Sequence, residues 1–154
     1  MTNSNPSLTL RELRATDRPQ WAELWRDYLA FYETALPEPA YTRAFERMLS
    51  GADGEFHGIV AEQGGALIGL AHALLHRHGW REEPVCYLQD LYVAPAARGT
   101  GAGRALIEAV YAYADDQGAA DVYWLTQDFN HTARALYDSV AGLTPFIKYS
   151  RNAR

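Results

Sequence analysis

The sequence predicts an α/β (α+β) fold, a mixed central sheet of about six to seven strands with helices on both faces. Three observations carry this expectation. Hydrophobic periods of two and of 3.6 residues follow one another in the order β-α-α-β-β-β-α-β-α-β. The run Val85 to Val93 is apolar on both faces, as in a strand at the centre of a covered sheet. A Gly-rich turn then joins that strand directly to an amphipathic helix. The chain has 154 residues, enough to bury about 70% of its unfolded surface, and with short loops and no repeats it reads as one domain over 1–154.

The elements follow in order. Leu8 to Arg14 alternates like a strand, and Asp17 with Gln20 fits the cap of a helix beginning beside Pro19. Trp21, Leu24, Trp25, Tyr28, Leu29 and Tyr32 share one face of that helix, an aromatic stripe suited to a core. Pro37 and Pro39 break the chain, and a second helix covers about Tyr41 to Leu49, ending before Ser50-Gly51. Phe56 to Glu62 and Ala66 to His76, joined by Gln63-Gly64-Gly65, read as an antiparallel hairpin. Beyond Val85–Val93, an apolar stripe of Leu106, Ile107, Val110, Tyr113 and Ala114 predicts a helix from Arg104 to about Gln117, with Gly118 as its C-cap. Asp121 to Thr126 reads as a strand, Thr132 to Val140 as a short helix and Thr144 to Ser150 as a last strand.

Composition narrows the function classes. The chain is 48% apolar, with four Trp, ten Tyr and five Phe, and no charge blocks, which excludes a disordered chain. No apolar stretch reaches the roughly 20 residues that span a bilayer, and the polar start MTNSNPS lacks a signal peptide's pattern, so a cytoplasmic protein without a membrane partner is expected. The net charge of −5 argues against nucleic acid as a partner and suits a cationic substrate. Cys86, the single cysteine, has apolar neighbours and reads as a small buried hydrophobe. His72 and His76 lie four apart on a strand, about 13 Å, too far to share an ion, and no metal is expected.

The turn Asp90-Leu-Tyr-Val-Ala-Pro-Ala-Ala-Arg-Gly-Thr-Gly-Ala-Gly103 is the chemical signal. Gly99, Gly101 and Gly103 remove Cβ atoms where backbone N–H groups would meet an anion, the helix N-terminus adds about half a positive charge, and Arg98 adds a full one. The same glycines also fit a plain helix-entry turn. A P-loop is excluded because no Lys follows the glycines. A dinucleotide fingerprint is incomplete, since residue 104 is Arg and Asp121 begins the next strand where an acid is expected at its far end.

What remains, Arg98-x-x-Gly101-x-Gly103 after a strand ending Asp-Leu-Tyr-Val, resembles the central signature of the GNAT superfamily of N-acetyltransferases. The stretch Val122-Tyr-Trp-Leu-Thr-Gln-Asp-Phe-Asn130 followed by a helix carrying Tyr137 is similar to the superfamily's other cofactor segment. Within it, the chain looks most like the small branch of polyamine, thialysine and D-amino-acid acetyltransferases.

The resemblance implies a GNAT-like acyl-CoA N-acyltransferase fold, acetyl-CoA as co-substrate and a small-molecule primary amine as acceptor. The alternatives are a protein lysine acetyltransferase or a non-catalytic acyl-CoA-binding module. It further implies that the backbone of Leu91, Tyr92 and Val93 pairs with the pantetheine arm. Arg98 and the N–H groups of Gly99, Thr100, Gly101, Ala102, Gly103 and Arg104 would hold the pyrophosphate, and Asn130 the cofactor arm, unless Asn130 only caps its helix. Tyr137 would stabilise the departing CoA sulfur, unless it is a core residue. A phenol near pKa 10 facing a thiolate of parent pKa about 8.5 makes complete proton transfer uphill by roughly 2 kcal/mol, so a hydrogen bond is the better description.

An alkylammonium of pKa about 10.4 costs about 4.6 kcal/mol to deprotonate at pH 7. The nearest relatives often place Glu just before the strand Asp, whereas here the pair is Gln89-Asp90. That leaves Asp90 as base or ammonium contact, or as a structural anchor, with a water relay as the other route. Glu33 to Pro39, Glu82 and Glu83 are candidate borders of the amine site, or solvated surface. Many such proteins are homodimers, and a homodimer is expected.

Overall fold

The computed structural model describes residues 6–153. Strand β1 (Leu8–Glu12) leads through a turn of 3₁₀ helix into α1 (Arg18–Phe31) and α2 (Glu38–Ser50). Strands β2 (His57–Gln63), β3 (Ala66–His76) and β4 (Val85–Val93) follow, then α3 (Ala102–Asp116), β5 (Val122–Tyr123) and α4 (His131–Val140). The five strands lie in the order of the chain; all neighbours are antiparallel except β4 and β5, which are parallel.

Local sequence explains the boundaries. Pro19 and Pro39 occupy first-turn positions of α1 and α2, where a missing N–H costs nothing. The β2–β3 hairpin turns on Gly64 and Gly65, with φ of +60° and +80°, the signs a twist-compatible two-residue turn requires. Asp17 does not cap α1 with its side chain. Its carboxylate takes two hydrogen bonds from the Arg11 guanidinium, at 2.7 and 2.8 Å, and one from the Arg14 N–H. Gln20 instead accepts the Leu67 N–H, tying α1 to β3.

Helices cover both faces of the sheet. Trp21, Leu24, Tyr41, Phe45 and Met48 from α1 and α2 pack on Val60, Leu70 and Tyr92. On the other face Leu106, Ile107, Val110 and Ala114 of α3 pack on Ile59, Ala71, Cys86 and Leu88. Each fully buried Leu, Ile or Val there contributes about 1.5–3 kcal/mol.

The sheet has five strands among the described residues, fewer than expected from the sequence. The strand expected over 121–126 is reduced to Val122–Tyr123, because β5 meets β4 only at Cys86 and Tyr87. The strand expected over 144–150 does not form: the segment pairs with no strand among the described residues, Pro145 removes a ladder donor, and Phe146 and Tyr149 are 79% and 91% exposed.

Candidate active site

The register of β3 and β4 creates the site. His72 pairs with Asp90 and Ala73 with Leu88, so Gln89 is an extra residue in β4, a β-bulge. Before the bulge, Cys86 and Leu88 face α3; after it, Leu91 and Val93 lie on that side and Tyr92 joins the α1 and α2 core. The one-residue insertion reverses the parity and sends Asp90 towards the aromatic face of α1. There Asp90 is buried, and its Oδ2 lies 2.8 Å from His72 Nδ1.

Asp90 pairs with no Lys or Arg among the described residues. Its charge is felt by neighbouring phenols. Tyr28, Tyr32 and Tyr87 are each held above the ordinary tyrosine range, by burial first and by Asp90 second. A cleft of about 280 Å³ reaches this carboxylate and is lined by Trp25, Arg43, Arg47, His72, Gln89 and Asp90 among others. Glu82, Glu83 and residues 33–37 do not line it. Trp25 Nε1 is buried without an acceptor among the described residues, a condition worth about 1–3 kcal/mol that tends to collect at functional sites.

The Gly-rich turn lies at the end of the same strand. Gly99 and Gly101 have φ of +78° and +88°, and an added Cβ at either would meet nothing within 4 Å, so conformation alone requires glycine there. The helix α3 begins at Ala102, two residues earlier than the apolar stripe indicates, and its first bond from a described donor is Ala105 N–H to the Gly101 carbonyl. The backbone N–H groups from Gly99 to Arg104 donate to no group among the described residues. The Arg98 Nε–H donates to the Val93 carbonyl at 3.1 Å, and its guanidinium lies over the Tyr92 ring. Thr100 bonds back to the Ala97 carbonyl, and Arg104 reaches Ser139 of α4 at 2.7 Å.

Beyond Tyr87 the outer edge of β4 has no strand beside it, so Leu91, Tyr92 and Val93 border a wedge between β4 and the chain that leaves β5. Asn130 accepts the Ala133 N–H at 3.3 Å and thus caps α4. Tyr137, about two helix turns further on, packs edge-on against Trp124, its phenol raised by burial first and by Tyr32 second. Asp90 raises Tyr32, and Tyr32 in turn raises Tyr137, so Tyr32 stands between the carboxylate and the phenol of α4.

A strand that bulges, splays from its parallel neighbour and ends in a turn of N–H groups without partners among the described residues leaves room for an extended anionic ligand beside a cleft that holds a buried carboxylate and two arginines. The sequence model of the acetyltransferase (GNAT) family matches residues 21–143. The chain belongs to the GNAT family. It is similar to the D-amino-acid N-acetyltransferase HPA3 of Saccharomyces cerevisiae, 37% identical over 149 residues, covering 96% of this chain and 92% of that one. An aminoglycoside N(6')-acetyltransferase type 1 of Stenotrophomonas maltophilia is 30% identical over 118 residues, covering 74% and 72%. The solved aminoglycoside N-acetyltransferase AAC(6')-Iy in complex with CoA has the same fold, with a TM-score of 0.85 at 20% identity over 99% of both chains. This GNAT protein is an acetyl-CoA-dependent N-acetyltransferase.

The described residues hold no group of three or more metal-ligating side chains, and no described helix is long and apolar enough to cross a membrane. Cys86 is buried, with its thiol pushed up to about 11 by burial and then by Asp121, as suits a packing residue. Sequence reasoning missed His72 as a partner of Asp90, and missed Arg43 and Arg47. The available signal was a polar Gln-Asp pair inside an apolar strand, facing a His inside another.

Proposed function

We propose that the chain transfers acetyl from acetyl-CoA to the primary amine of a small molecule, by direct attack in a ternary complex, and that an amino acid is the favoured acceptor. One observation carries the reading: a buried carboxylate with no cationic partner lines a cleft that also holds two arginines. Asp90 would bind the ammonium end, and Arg43 and Arg47, one turn apart on α2, a carboxylate end. A polyamine or an aminoglycoside would meet the arginines with like charge. The similarity to a D-amino-acid N-acetyltransferase supports the same choice.

In this reading the open edge of Leu91 to Val93 holds the pantetheine arm, the N–H groups of Gly99 to Arg104 hold the pyrophosphate with Arg98, and the side-chain amide of Asn130 is left for the arm. The acetyl-CoA supplies an activated acyl group. Asp90, directly or through water, takes one proton of the ammonium, so that the nitrogen lone pair forms the C–N bond as the C–S bond breaks, and the new amide nitrogen then gives up its surplus proton to solvent. Tyr137 donates a hydrogen bond to the sulfur that leaves with the electron pair.

A homodimer belongs to the same proposal, because Leu143, Phe146, Ile147 and Tyr149 are all at least 78% exposed and an apolar face of that kind suits a second copy. So does a cytoplasmic location, where the co-substrate thioester is made available. Two-substrate kinetics test the chemistry: intersecting double-reciprocal lines are expected, and parallel lines would exclude direct attack. Sedimentation of the full chain tests the dimer.

A further inference from the structure

Three buried polar groups form a row that leads from the core to the cleft. Trp21 of α1 is 0% exposed, His72 of β3 3% and Asp90 of β4 9%. Trp21 Nε1 lies 2.9 Å from His72 Nε2, and His72 Nδ1 lies 2.8 Å from Asp90 Oδ2. An indole N–H can only donate. His72 Nε2 is therefore an acceptor, the ring proton sits on Nδ1, and Nδ1–H donates to the carboxylate. Donation runs one way, from indole to imidazole to carboxylate. A ring protonated at Nε2 would set two N–H groups face to face, and would also oppose the Nδ1 lone pair to those of Asp90. Neither failure can be relieved by water at this burial.

The start of the row is rigid. Trp21 stacks on Trp25 with centroids 5.2 Å apart and packs on Phe45 at 5.0 Å. The end of the row is the opposite, a carboxylate beside a bulge, with two side-chain torsions of its own. We propose that Trp21 and His72 are positioning residues for acetyl transfer: they fix the Nδ1–H tautomer, hold Asp90 by Oδ2, and so aim Oδ1 into the cleft to receive the acceptor's ammonium group. This rests on the role given to Asp90 under Proposed function. It assigns His72 no contact with the reacting atoms. It also accounts for a tryptophan indole being spent on a histidine at the centre of the α1 core.

The test has a readout that does not depend on turnover. In the full-length protein labelled with ¹⁵N-histidine, the His72 ring nitrogens are expected to show the neutral Nδ1–H form, and Trp21→Phe to release it into a mixture of tautomers. Steady-state kinetics then separate aiming from folding. Trp21→Phe should raise the KM for the amine about tenfold, as expected for a lost buried hydrogen bond, with the KM for acetyl-CoA unchanged. His72→Leu should lose more, whereas His72→Asn, whose amide nitrogen stands near the Nδ1 position, should recover much of the loss. An Nε2–H or doubly protonated ring in the wild type would overturn the relay whatever the turnover. Folded Trp21→Phe and His72→Leu proteins with wild-type amine KM would overturn the aiming role. A wild type with the Nδ1–H ring that acetylates no amine would instead bring down the acetyl-transfer reading, and the aiming role with it.

Discussion

Tyr137 packs edge-on against Trp124, with ring centroids 5.4 Å apart and planes at 70°. This contact holds the phenol of α4 beside the chain that leaves β5. Burial raises the phenol above its ordinary range, so it stays protonated throughout the neutral and mildly alkaline range, and full transfer of its proton to a thiolate becomes less favourable still. In the proposed mechanism its act is hydrogen bonding to the leaving sulfur. Tyr137→Phe is expected to lower kcat by about 10²-fold, the low end for a positioned acid, with little change in either KM, and the wild-type rate should show no loss from phenol ionisation up to pH 9. Initial rates of thiol release across pH 6 to 9 check both points.

Asp90 is the group whose charge the site leaves unpaired. Asp90→Asn keeps the shape and removes the charge, so the His72 Nδ1–H still finds an acceptor. The kcat/KM for the amine should fall by about 10²-fold, near 2.7 kcal/mol, while acetyl-CoA still raises the melting temperature. A variant that no longer responds to acetyl-CoA would show that the residue supports the strand rather than the amine.

The Gly-rich turn makes a separable prediction. At Gly101, with φ of +88° and open space around the missing Cβ, Ala meets no neighbour and suffers only from its backbone. Gly101→Ala should cost about 1–2 kcal/mol, or roughly 3–6 °C in melting temperature for a chain of this size. It should also weaken acetyl-CoA binding by disturbing the N–H groups at the start of α3. Thermal scans with and without acetyl-CoA separate the two effects.

Asp17 governs the acid limb of stability. Its carboxyl is held below the ordinary carboxylate range by hydrogen bonds from Arg11, against the opposing effect of burial. The folded chain therefore binds fewer protons here than the unfolded one near pH 4, and this contribution is present above that pH and lost as pH falls through the depressed value. Asp17→Asn should lower stability by about 1–3 kcal/mol at neutral pH, since it removes the charge from two hydrogen bonds of a mostly buried Arg11 and leaves Glu62, 2.8 Å from its Nε, as the remaining counter-charge. The difference from wild type should shrink as pH falls below the ordinary carboxylate range, as read from urea midpoints.

Much of this architecture was legible because local and tertiary preferences agree. Pro19, Pro39, Gly64 and Gly65 punctuate the chain where its periods change, and the stripes of α1 and α3 point into the two cores. The turn from Gly99 to Gly103 was legible because only glycine serves the backbone angles at 99 and 101, and at 103 a Cβ would crowd Leu136. The bulge was not, since an extra residue in β4 is defined by the partner strand, and the parity reversal at Gln89 leaves only a polar pair in an apolar run. His72 read as a stray histidine for the same reason: its meaning lies in Trp21, 51 residues away. The last strand failed because Thr144 to Ser150 has strand composition but no partner strand among the described residues.

The central claim is catalytic acetyl transfer to a small amine at Asp90, and the most direct measurement is thiol release from acetyl-CoA over a panel of D- and L-amino acids, polyamines and aminoglycosides. The account predicts turnover that is fastest with an amino acid, and that falls when the acceptor's carboxylate is masked as an ester or when Arg43 and Arg47 are both changed to Ala. Preference for a polyamine, unaffected by those changes, would contradict the acceptor assignment; acetyl-CoA binding without transfer to any amine would contradict the account itself.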